Sequence, residues 1–423
     1  MLNRSSIDFS QACCKKKVRA PQIGDTHWHA YIPAAILHVF LILLAQSAFA
    51  GNGSVSGFGR LIGGYLDQAD VNYKTYNNSL SFDTSLIGLQ GIYQFSEYFD
   101  VTAQVIWTPD NNRDSGLEWL YTSIKPTHNL NLKLGKLRTP FFALSEVLDV
   151  GFAYPWITPP EEVYINFVFN TFEGLDVRYD FSYEDLSGGI EIYYGRNDDK
   201  IRLNNLTIDS EVKDLFGLIT EFNLFQFQIR ATYHSGNVDL MLNETQRLRS
   251  ALRDAGFINS AKSLSPAAEV DYYQFSVHYE TLDYFVRTEI VHFNTEAGIY
   301  QDITGYYLTG GLYIDTLTLH LTYSQRKDSL NRAFIGEIPI GVDSTFDALA
   351  QAYDTTLQAR EKEDVNSVTL GVRWDASPNL ALKADVKHIK SRKGNNTITF
   401  SSQQNSEFDG KAFLFLFALE TVF

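Results

Sequence analysis

Apolar and polar residues alternate along many short segments of this chain, and no other feature limits its possible folds as strongly. In segment 225–234 every second residue is apolar and the residues between are mostly polar: Phe225, Phe227, Ile229, Ala231 and Tyr233. Such alternation places the apolar residues on one face of an extended strand and the polar residues on the other. Segments of about ten residues have the length of a tilted strand that crosses a bilayer. The pattern therefore predicts strands with one face in lipid and one in water.

The alternation predicts an all-β, sixteen-stranded antiparallel transmembrane barrel whose strands are joined by alternately short and long connections. The predicted strands are 53–66, 80–95, 99–108, 117–125, 130–137, 172–182, 188–195, 213–222, 224–234, 270–280, 284–293, 304–314, 316–326, 365–375, 379–391 and 409–423. One short turn is placed at Asn223, and helices are predicted within two long loops, at 244–255 and 345–360. A soluble β-sandwich or propeller is the alternative, but the apolar faces end in aromatic residues, as membrane girdles do.

The N-terminal 50 residues have the layout of a signal peptide. Basic residues at 15–19 precede an apolar run from Ile32 to Leu44, and Ala48-Phe49-Ala50 then supplies the small residues that a signal peptidase requires. We expect cleavage before Gly51, which leaves residues 51–423 as the barrel. The apolar run is too short to cross a bilayer as a helix, so an anchoring helix is the less favoured interpretation.

Composition narrows the possible partners. The chain has 35 Lys and Arg against 50 Asp and Glu, a formal charge of −15, which disfavours binding to nucleic acid. Its mean hydropathy is −0.16, so a hydropathy scan alone would predict a soluble protein. Both cysteines, Cys13 and Cys14, lie in the leader, so the exported part has no disulfide to stabilise it.

The last strand carries a family resemblance. Phe423 ends the chain, and Leu419, Phe417 and Phe415 precede it at alternate positions, which resembles the C-terminal signal by which the barrel-assembly machinery recognises outer-membrane proteins. With sixteen strands, the whole exported chain resembles the general diffusion porins of Gram-negative bacteria. The resemblance implies a homotrimer in the outer membrane, in contact with its lipids. Apolar residues on both faces of the last strand add to this expectation, because such a wall is expected to pack against protein as well as lipid.

A second resemblance lies between the fifth and sixth strands. Gly135-Lys136-Leu137-Arg138-Thr139-Pro140 and the stretch from Gly151 to Pro160 are similar to a segment of gammaproteobacterial porins. In that family, this connection is the third outer loop, which folds into the lumen as the constriction. The segment lacks the Gly-rich acidic tip of the enteric porins, so the family's detailed constriction geometry is not carried over.

Charged residues on the connection and on the polar strand faces are the candidate pore residues. Four acidic residues are expected at the constriction: Glu146, Asp149, Glu161 and Glu162. Basic residues are expected on the wall of the lumen: Arg60, Lys133, Arg138, Arg178, Arg230, Arg287, Arg373, Lys383 and Lys387. Charges in a narrow pore act as a selectivity filter, and the acidic connection predicts a mild preference for cations.

The residues favour a passive channel for small hydrophilic solutes and ions over an enzyme. His234 and Ser235 are adjacent, which puts them on opposite strand faces and disfavours a barrel hydrolase. The six histidines after the leader show no metal-ligand spacing, so we predict no metal and no cofactor. The alternative function is a substrate-specific channel, either for phosphate-like anions, using wall arginines, or for an oligosaccharide, using Tyr154 and Trp156.

Overall fold

The computed structural model describes most of residues 51–423. The described residues are 52–110, 112–164, 169–203, 206–240, 245–295, 297, 299–330, 334, 336–360, 362–391, 399–402 and 408–423. The predicted leader and its cleavage site at Gly51 lie outside them, so the leader stays a prediction.

Sixteen antiparallel strands close into a barrel, as the alternation predicted. The chain has eighteen strands within the described residues, and the bounds of the barrel strands are β1 (Gly53–Leu66), β3 (Leu86–Ser96), β4 (Phe99–Trp107), β5 (Gly116–Thr127), β6 (Leu130–Arg138), β7 (Thr171–Tyr183), β8 (Leu186–Leu203), β9 (Leu206–Leu224), β10 (Phe227–Asp239), β11 (Ala267–Glu280), β12 (Tyr284–Thr295), β13 (Gln301–Ile314), β14 (Leu317–Leu330), β15 (Asp364–Ser377), β16 (Leu380–Ser391) and β18 (Lys411–Val422). β1 pairs with both β3 and β18, and this pairing closes the barrel. Closure leaves no unpaired sheet edge, which a membrane requires.

Burial along the strands separates the two faces of the barrel wall. On β18, Phe413, Phe415 and Phe417 point outward and are 43–45% exposed, whereas Leu414 and Leu416 point inward and are at most 4% exposed. The same outward row of apolar side chains continues around the barrel, for example at Leu317, Leu319, Leu321 and Tyr323 on β14. The wall is therefore apolar outside and mostly polar inside, as expected for a barrel in a membrane.

The C-terminal residue takes part in closing the barrel. The backbone N–H of Phe423 donates to Gly57 O at 2.9 Å, and Gly57 N–H donates to Phe423 O at 2.8 Å. A Cβ added at Gly57 would lie 2.4 Å from the Phe423 ring, so only glycine leaves room for this ring. Phe423 thus holds the last strand against the first.

The apolar inner face of β18 is covered by the chain itself. Leu414 and Leu416 belong to a buried cluster with Tyr73, Tyr76 and Ile157. Tyr73 lies on β2 (Val71–Tyr73), which pairs with β17 (Phe400–Ser402) in a small separate sheet. The expectation that both apolar faces of the last strand indicate a neighbouring subunit is therefore wrong for the inner face.

Several strand boundaries differ from the prediction, most of all the end of β8 and the start of β9, which extend into the predicted long loop at 196–212. The backbone contacts explain two further differences. The second barrel strand begins at Leu86 rather than residue 80, because residues 80–85 turn back and Ser81 exchanges backbone hydrogen bonds with Gly64. The turn placed at Asn223 lies at Phe225 and Gln226, since Asn223 still pairs with Gln228. Phe225 adopts φ of +53°, a left-handed conformation that is uncommon for a bulky residue and that turn-residue preferences do not predict.

Three helices lie in the long connections. The first two, α1 (Gln246–Asp254) and α2 (Ile258–Ser263), follow β10, and α3 (Ser344–Gln358) follows β14. They pack into one apolar cluster that includes Leu252, Phe257, Tyr353 and Leu357. The predicted helices correspond to α1 and α3, whereas α2 was not predicted. Among the described residues, no helix combines the length and the apolar character needed to cross a membrane.

Candidate functional site

The connection between β6 and β7 runs along the inside of the barrel wall. We call residues 139–170 the inner loop, of which 139–164 and 169–170 are described. The inner loop contains two short 3-10 turns, Ser145–Val147 and Gly151–Ala153, and no strand among its described residues. Its backbone polar groups therefore need partners from elsewhere. Inward-pointing side chains of β10, β12, β15, β16 and β1 supply many of them.

Wall cations bind the carbonyl groups of the inner loop. The Lys383 ammonium lies 2.7 Å from each of three carbonyl oxygens, those of Gly151, Tyr154 and Trp156. It also lies 2.8 Å from Glu420 Oε2, and both side chains are fully buried. Four oxygens thus share the three hydrogens of one ammonium group.

Two arginines extend this contact along the inner loop. Arg373 donates to Phe152 O at 2.6 Å and to Tyr154 O at 3.2 Å. Arg60 donates to Ile157 O and forms a 3.0 Å ion pair with Glu420. Because these guanidinium groups are directed at loop carbonyls, they act first as anchors of the loop.

Wall carboxylates bind the loop N–H groups in the same way. Glu289 on β12 accepts the Ala143 N–H at 2.9 Å and the Tyr164 hydroxyl at 2.6 Å. Asp385 on β16 accepts the Ile157 N–H at 2.8 Å. Hydrogen bonds to buried charged groups are stronger than neutral ones, so these contacts fix the loop at both ends.

Asp149 of the inner loop belongs to a compact cluster of compensated charges. Arg113 donates to its Oδ2 at 2.9 Å and Arg138 donates to the same oxygen at 3.0 Å. Glu118 pairs with the same two arginines. Burial alone would raise the pKa of Asp149, but Arg138 and Arg113 outweigh burial and hold this pKa below its usual value. Two cations balance two carboxylates, so the cluster has no net charge.

Glu161 and Glu162 form a second compensated cluster. Lys387 lies 3.2 Å from both carboxylates, and Lys74 lies 2.6 Å from Glu161. The Tyr73 hydroxyl also donates to Glu161. Burial acts to raise the pKa of Glu161, and the neighbouring Lys74 and Lys387 lower it further than burial raises it. Two lysines again balance two carboxylates.

Glu146 differs from the other loop carboxylates because its side chain is 69% exposed. It lines a solvent-open space of about 1190 Å³ between the inner loop and the wall formed by β1, β3–β8 and β18. Lys133 lies 3.6 Å away, and Asp176 and Glu191 line the same space. Charged side chains from both the loop and the wall therefore line it.

Arg178 and Arg230 lie on the wall near this space and are paired with carboxylates. Arg178 forms ion pairs of 2.8–3.1 Å with Asp180, Glu191 and Glu221. Arg230 lies 3.2 Å from Glu221. Arg287 also points inward and pairs with Glu280 at 2.8 Å. Arg230 also donates to the carbonyl oxygens of Pro140 and Phe141 in the inner loop. The predicted basic residues thus anchor the inner loop, belong to paired wall networks or, like Arg230, do both.

The sequence reasoning missed several partners of the predicted residues. Arg113, Glu118 and Lys74 were not selected, and Glu420 was passed over because the last strand was interpreted as apolar on both faces. Glu420 is the one charged residue in the apolar run 412–422. This interruption of the apolar pattern could have identified Glu420 as a partner of the wall cations. Within the described residues, no group of three or more His, Cys, Asp or Glu side chains is placed to hold a metal ion.

Comparison with known proteins gives a family and several similar folds. The model of the Gram-negative porin family matches residues 35–394. The fold is similar to OmpF of Salmonella typhi in complex with daunomycin (TM-score 0.54, 12% identity, 88% of this chain and 98% of that one). It is also similar to an anion-selective porin from Comamonas acidovorans (TM-score 0.52, 11% identity, 88% of this chain and 100% of that one). In-vitro folded OmpT of Vibrio cholerae in its trimer form is a third such structure (TM-score 0.51, 12% identity, 88% of this chain and 99% of that one). None of the curated protein sequences compared with the chain matches it.

Proposed function

The chain belongs to the Gram-negative porin family of outer-membrane channel proteins, which are not enzymes. We propose that it forms a water-filled channel for passive diffusion of small hydrophilic solutes and ions, with a mild preference for cations. The observation that supports this proposal most is the open space beside Glu146, which charged side chains of both the wall and the inner loop line and which the loop does not fill. The inner loop narrows the lumen from one side only, so it acts as the constriction.

Charge counting around the open space supports the cation preference. The loop clusters at Asp149 and at Glu161 and Glu162 are compensated, so they contribute little field across the open lumen. The remaining charged groups that line the space are one cation, Lys133, and three carboxyl groups, Glu146, Asp176 and Glu191. Acidic groups therefore outnumber cations beside the open lumen. Low-dielectric walls focus this field on the lumen.

Single substitutions beside the lumen test the selectivity. Glu146→Gln removes an exposed carboxylate, so we expect the reversal potential in a KCl gradient to move towards zero. Lys133→Gln removes the neighbouring cation, and the reversal potential is expected to move the opposite way. Asp254→Asn, an exposed carboxylate on α1, is the matched control and is expected to leave the potential unchanged. An anion preference in the unmodified protein, or no shift in either variant, would refute the cation preference.

The contacts favour a general channel over a substrate-specific one. An arginine ladder for phosphate-like anions would need free guanidinium groups, but Arg60 and Arg373 donate to the inner loop. An aromatic track for an oligosaccharide would need exposed rings, but Tyr154 and Trp156 are each 1% exposed. Liposome swelling with sugars of graded size separates the two functions: a smooth decline with size supports the general channel, and saturable uptake of one sugar overturns it.

We also propose that the protein assembles as a homotrimer in contact with outer-membrane lipids. A trimer form is recorded for one of the similar barrels, OmpT of Vibrio cholerae. On this barrel, the outward face of β1 carries Gly57 and Gly63, and the rings of Phe423 and Phe417 occupy the space beside them. This face is apolar, so a second barrel can pack against it. Recognition of Phe423 by the barrel-assembly machinery remains part of the same proposal.

A further inference from the structure

The inner wall becomes apolar at one end of strands β9–β13, which is unusual for a surface that faces an aqueous lumen. The inward-pointing residues there are Val212, Leu215, Val238, Val270, Tyr272, Phe293 and Ile303. Lower on the same strands, inward positions are polar or charged, such as Arg230, Gln274 and Glu289. Apolar surface left in water costs roughly 25 cal/mol per Å², so a surface of this kind is favourable only where something covers it.

The inner loop covers part of this surface and leaves the rest open. Phe141 and Phe169, near the two ends of the loop, pack against Tyr272 and its neighbours. Beside them remains a cleft of about 910 Å³ that opens to solvent. We call it the apolar cleft. Aromatic and aliphatic side chains form most of its lining, as they do in many small-molecule sites.

The apolar cleft presents no uncompensated charge. Arg326 is the only Lys, Arg, Asp or Glu among the described lining residues, and it forms a two-point contact with Asp328 at 2.8 and 2.9 Å. The His234 ring nitrogens lie 2.6 Å from the Tyr193 hydroxyl and 2.9 Å from the Thr232 hydroxyl. A charged ligand would therefore lose its hydration without gaining a partner of opposite charge.

We propose that the apolar cleft is a binding site for an uncharged aromatic small molecule. The rings of Phe141 and Tyr272 meet edge-on at 5.3 Å, and Phe293 lines the same cleft, so a planar apolar ligand finds several ring edges and faces to pack against. The site is separate from the charged space beside Glu146, with which it shares no lining residue. It gives the channel a place to hold apolar solutes that the polar lumen would not retain.

A charge series on one ring system tests the ligand class. The folded protein in lipid nanodiscs is titrated with indole, with tryptamine as the cation and with indole-3-acetate as the anion, and binding is followed by calorimetry. We expect indole to bind at least about tenfold more tightly than either charged compound, because each ion would have to be desolvated. Equal or tighter binding of tryptamine or of indole-3-acetate overturns the proposal.

A pair of glycine substitutions locates the binding. A Cβ at Gly236, which lines the apolar cleft, meets only side-chain or backbone atoms of Leu215 and Val212 at 3.4–3.5 Å, so Gly236→Leu fits and extends into the cleft. Gly310→Leu is the control: its Cβ meets nothing within 4 Å, and Gly310 does not line the cleft. Partition of indole into lipid is the same in all samples, so differences between the proteins report the cleft.

We expect Gly236→Leu to weaken indole binding at least about tenfold and Gly310→Leu to leave it within twofold. Conductance in KCl checks that both variants still form channels, independently of ligand binding. Should Gly236→Leu not fold, Val270→Thr keeps the shape of the lining, adds a hydroxyl and is expected to weaken binding several-fold. Unchanged indole binding in the cleft variant, or an equal loss in Gly310→Leu, overturns the proposal.

Discussion

Lys383 connects the barrel wall to the inner loop through more contacts than any other single side chain among the described residues. Its ammonium is the common partner of three loop carbonyls and Glu420. The sequence places Lys383 on a polar strand face, and that much was predicted from the alternation. Its partners were not predictable, because Gly151 lies 232 residues away along the chain and a backbone carbonyl has no sequence signature.

Lys383→Gln tests this role. The substitution leaves three buried carbonyl groups and one oxygen of Glu420 without their common donor, although Arg60 still pairs with Glu420. We therefore expect a loss of about 3 kcal/mol, seen as a lower midpoint of thermal unfolding on heat-modifiability gels. Lys125→Gln is the matched control, since Lys125 pairs with Asp100 at 2.9 Å but is 45% exposed. Its loss is expected to be about 0–1 kcal/mol. Equal losses in the two variants would show that Lys383 does not anchor the loop.

The inner loop shows where prediction from sequence stops at the level of a structural element. Its position between the fifth and sixth barrel strands and its four carboxylates were predicted. The pairing of three of those carboxylates with basic residues was not predicted, because this pairing depends on which strands the loop contacts. A loop with two short 3-10 turns and no other regular structure has no periodicity from which its path could be derived.

The lowered pKa values of Asp149, Glu161 and Glu162 predict an acid-resistant loop. A lowered pKa contributes stability that is present above the ordinary carboxyl pKa and is lost only as pH falls through the lowered value. We therefore expect the current noise of the open channel, which reports movement of the inner loop, to be the same at pH 7 and at pH 4. A change in the unmodified protein over this range would contradict the pairing.

A lysine substitution shows whether the ion pairs cause this resistance. Lys387→Gln removes the cation that lowers the pKa of Glu162, while Lys74 still pairs with Glu161. The pKa of the buried Glu162 should therefore rise, and channel noise should increase as pH falls to 4. Lys390→Gln, an exposed lysine on the same strand, is the control and should behave as the unmodified protein. If the two variants show equal noise at pH 4, the acid resistance comes from another part of the loop.

At the scale of the whole molecule, the sequence predicted the barrel better than its outer connections. All sixteen barrel strands were predicted, because each buries one face and exposes the other over many residues. The small sheet of β2 and β17 and the helix α2 were not predicted, since elements of three to six residues are too short to show a period. Their contacts, such as that of Tyr73 with Glu161, are set by tertiary packing.

The proposed homotrimer predicts the mass of the assembled protein. Light scattering of the detergent-solubilised protein, corrected for bound detergent, is expected to give the mass of three subunits. The outward face of β1 is expected to contribute, so Val55→Trp, at a position that is 62% exposed, should shift the protein towards single subunits, whereas Gly310→Trp, on another part of the barrel, should not. A single-subunit mass for the unmodified protein would refute the trimer.

Single-channel recording tests the central claim, that the barrel encloses a continuous water-filled path which the anchored inner loop narrows without closing. The purified, folded protein is added to a planar lipid bilayer in KCl, and its folding is checked by heat-modifiability on the same preparation. We predict stepwise current increases whose conductance rises in proportion to the conductivity of the bulk salt solution. Folded protein that inserts into the bilayer and produces no current steps would contradict the claim.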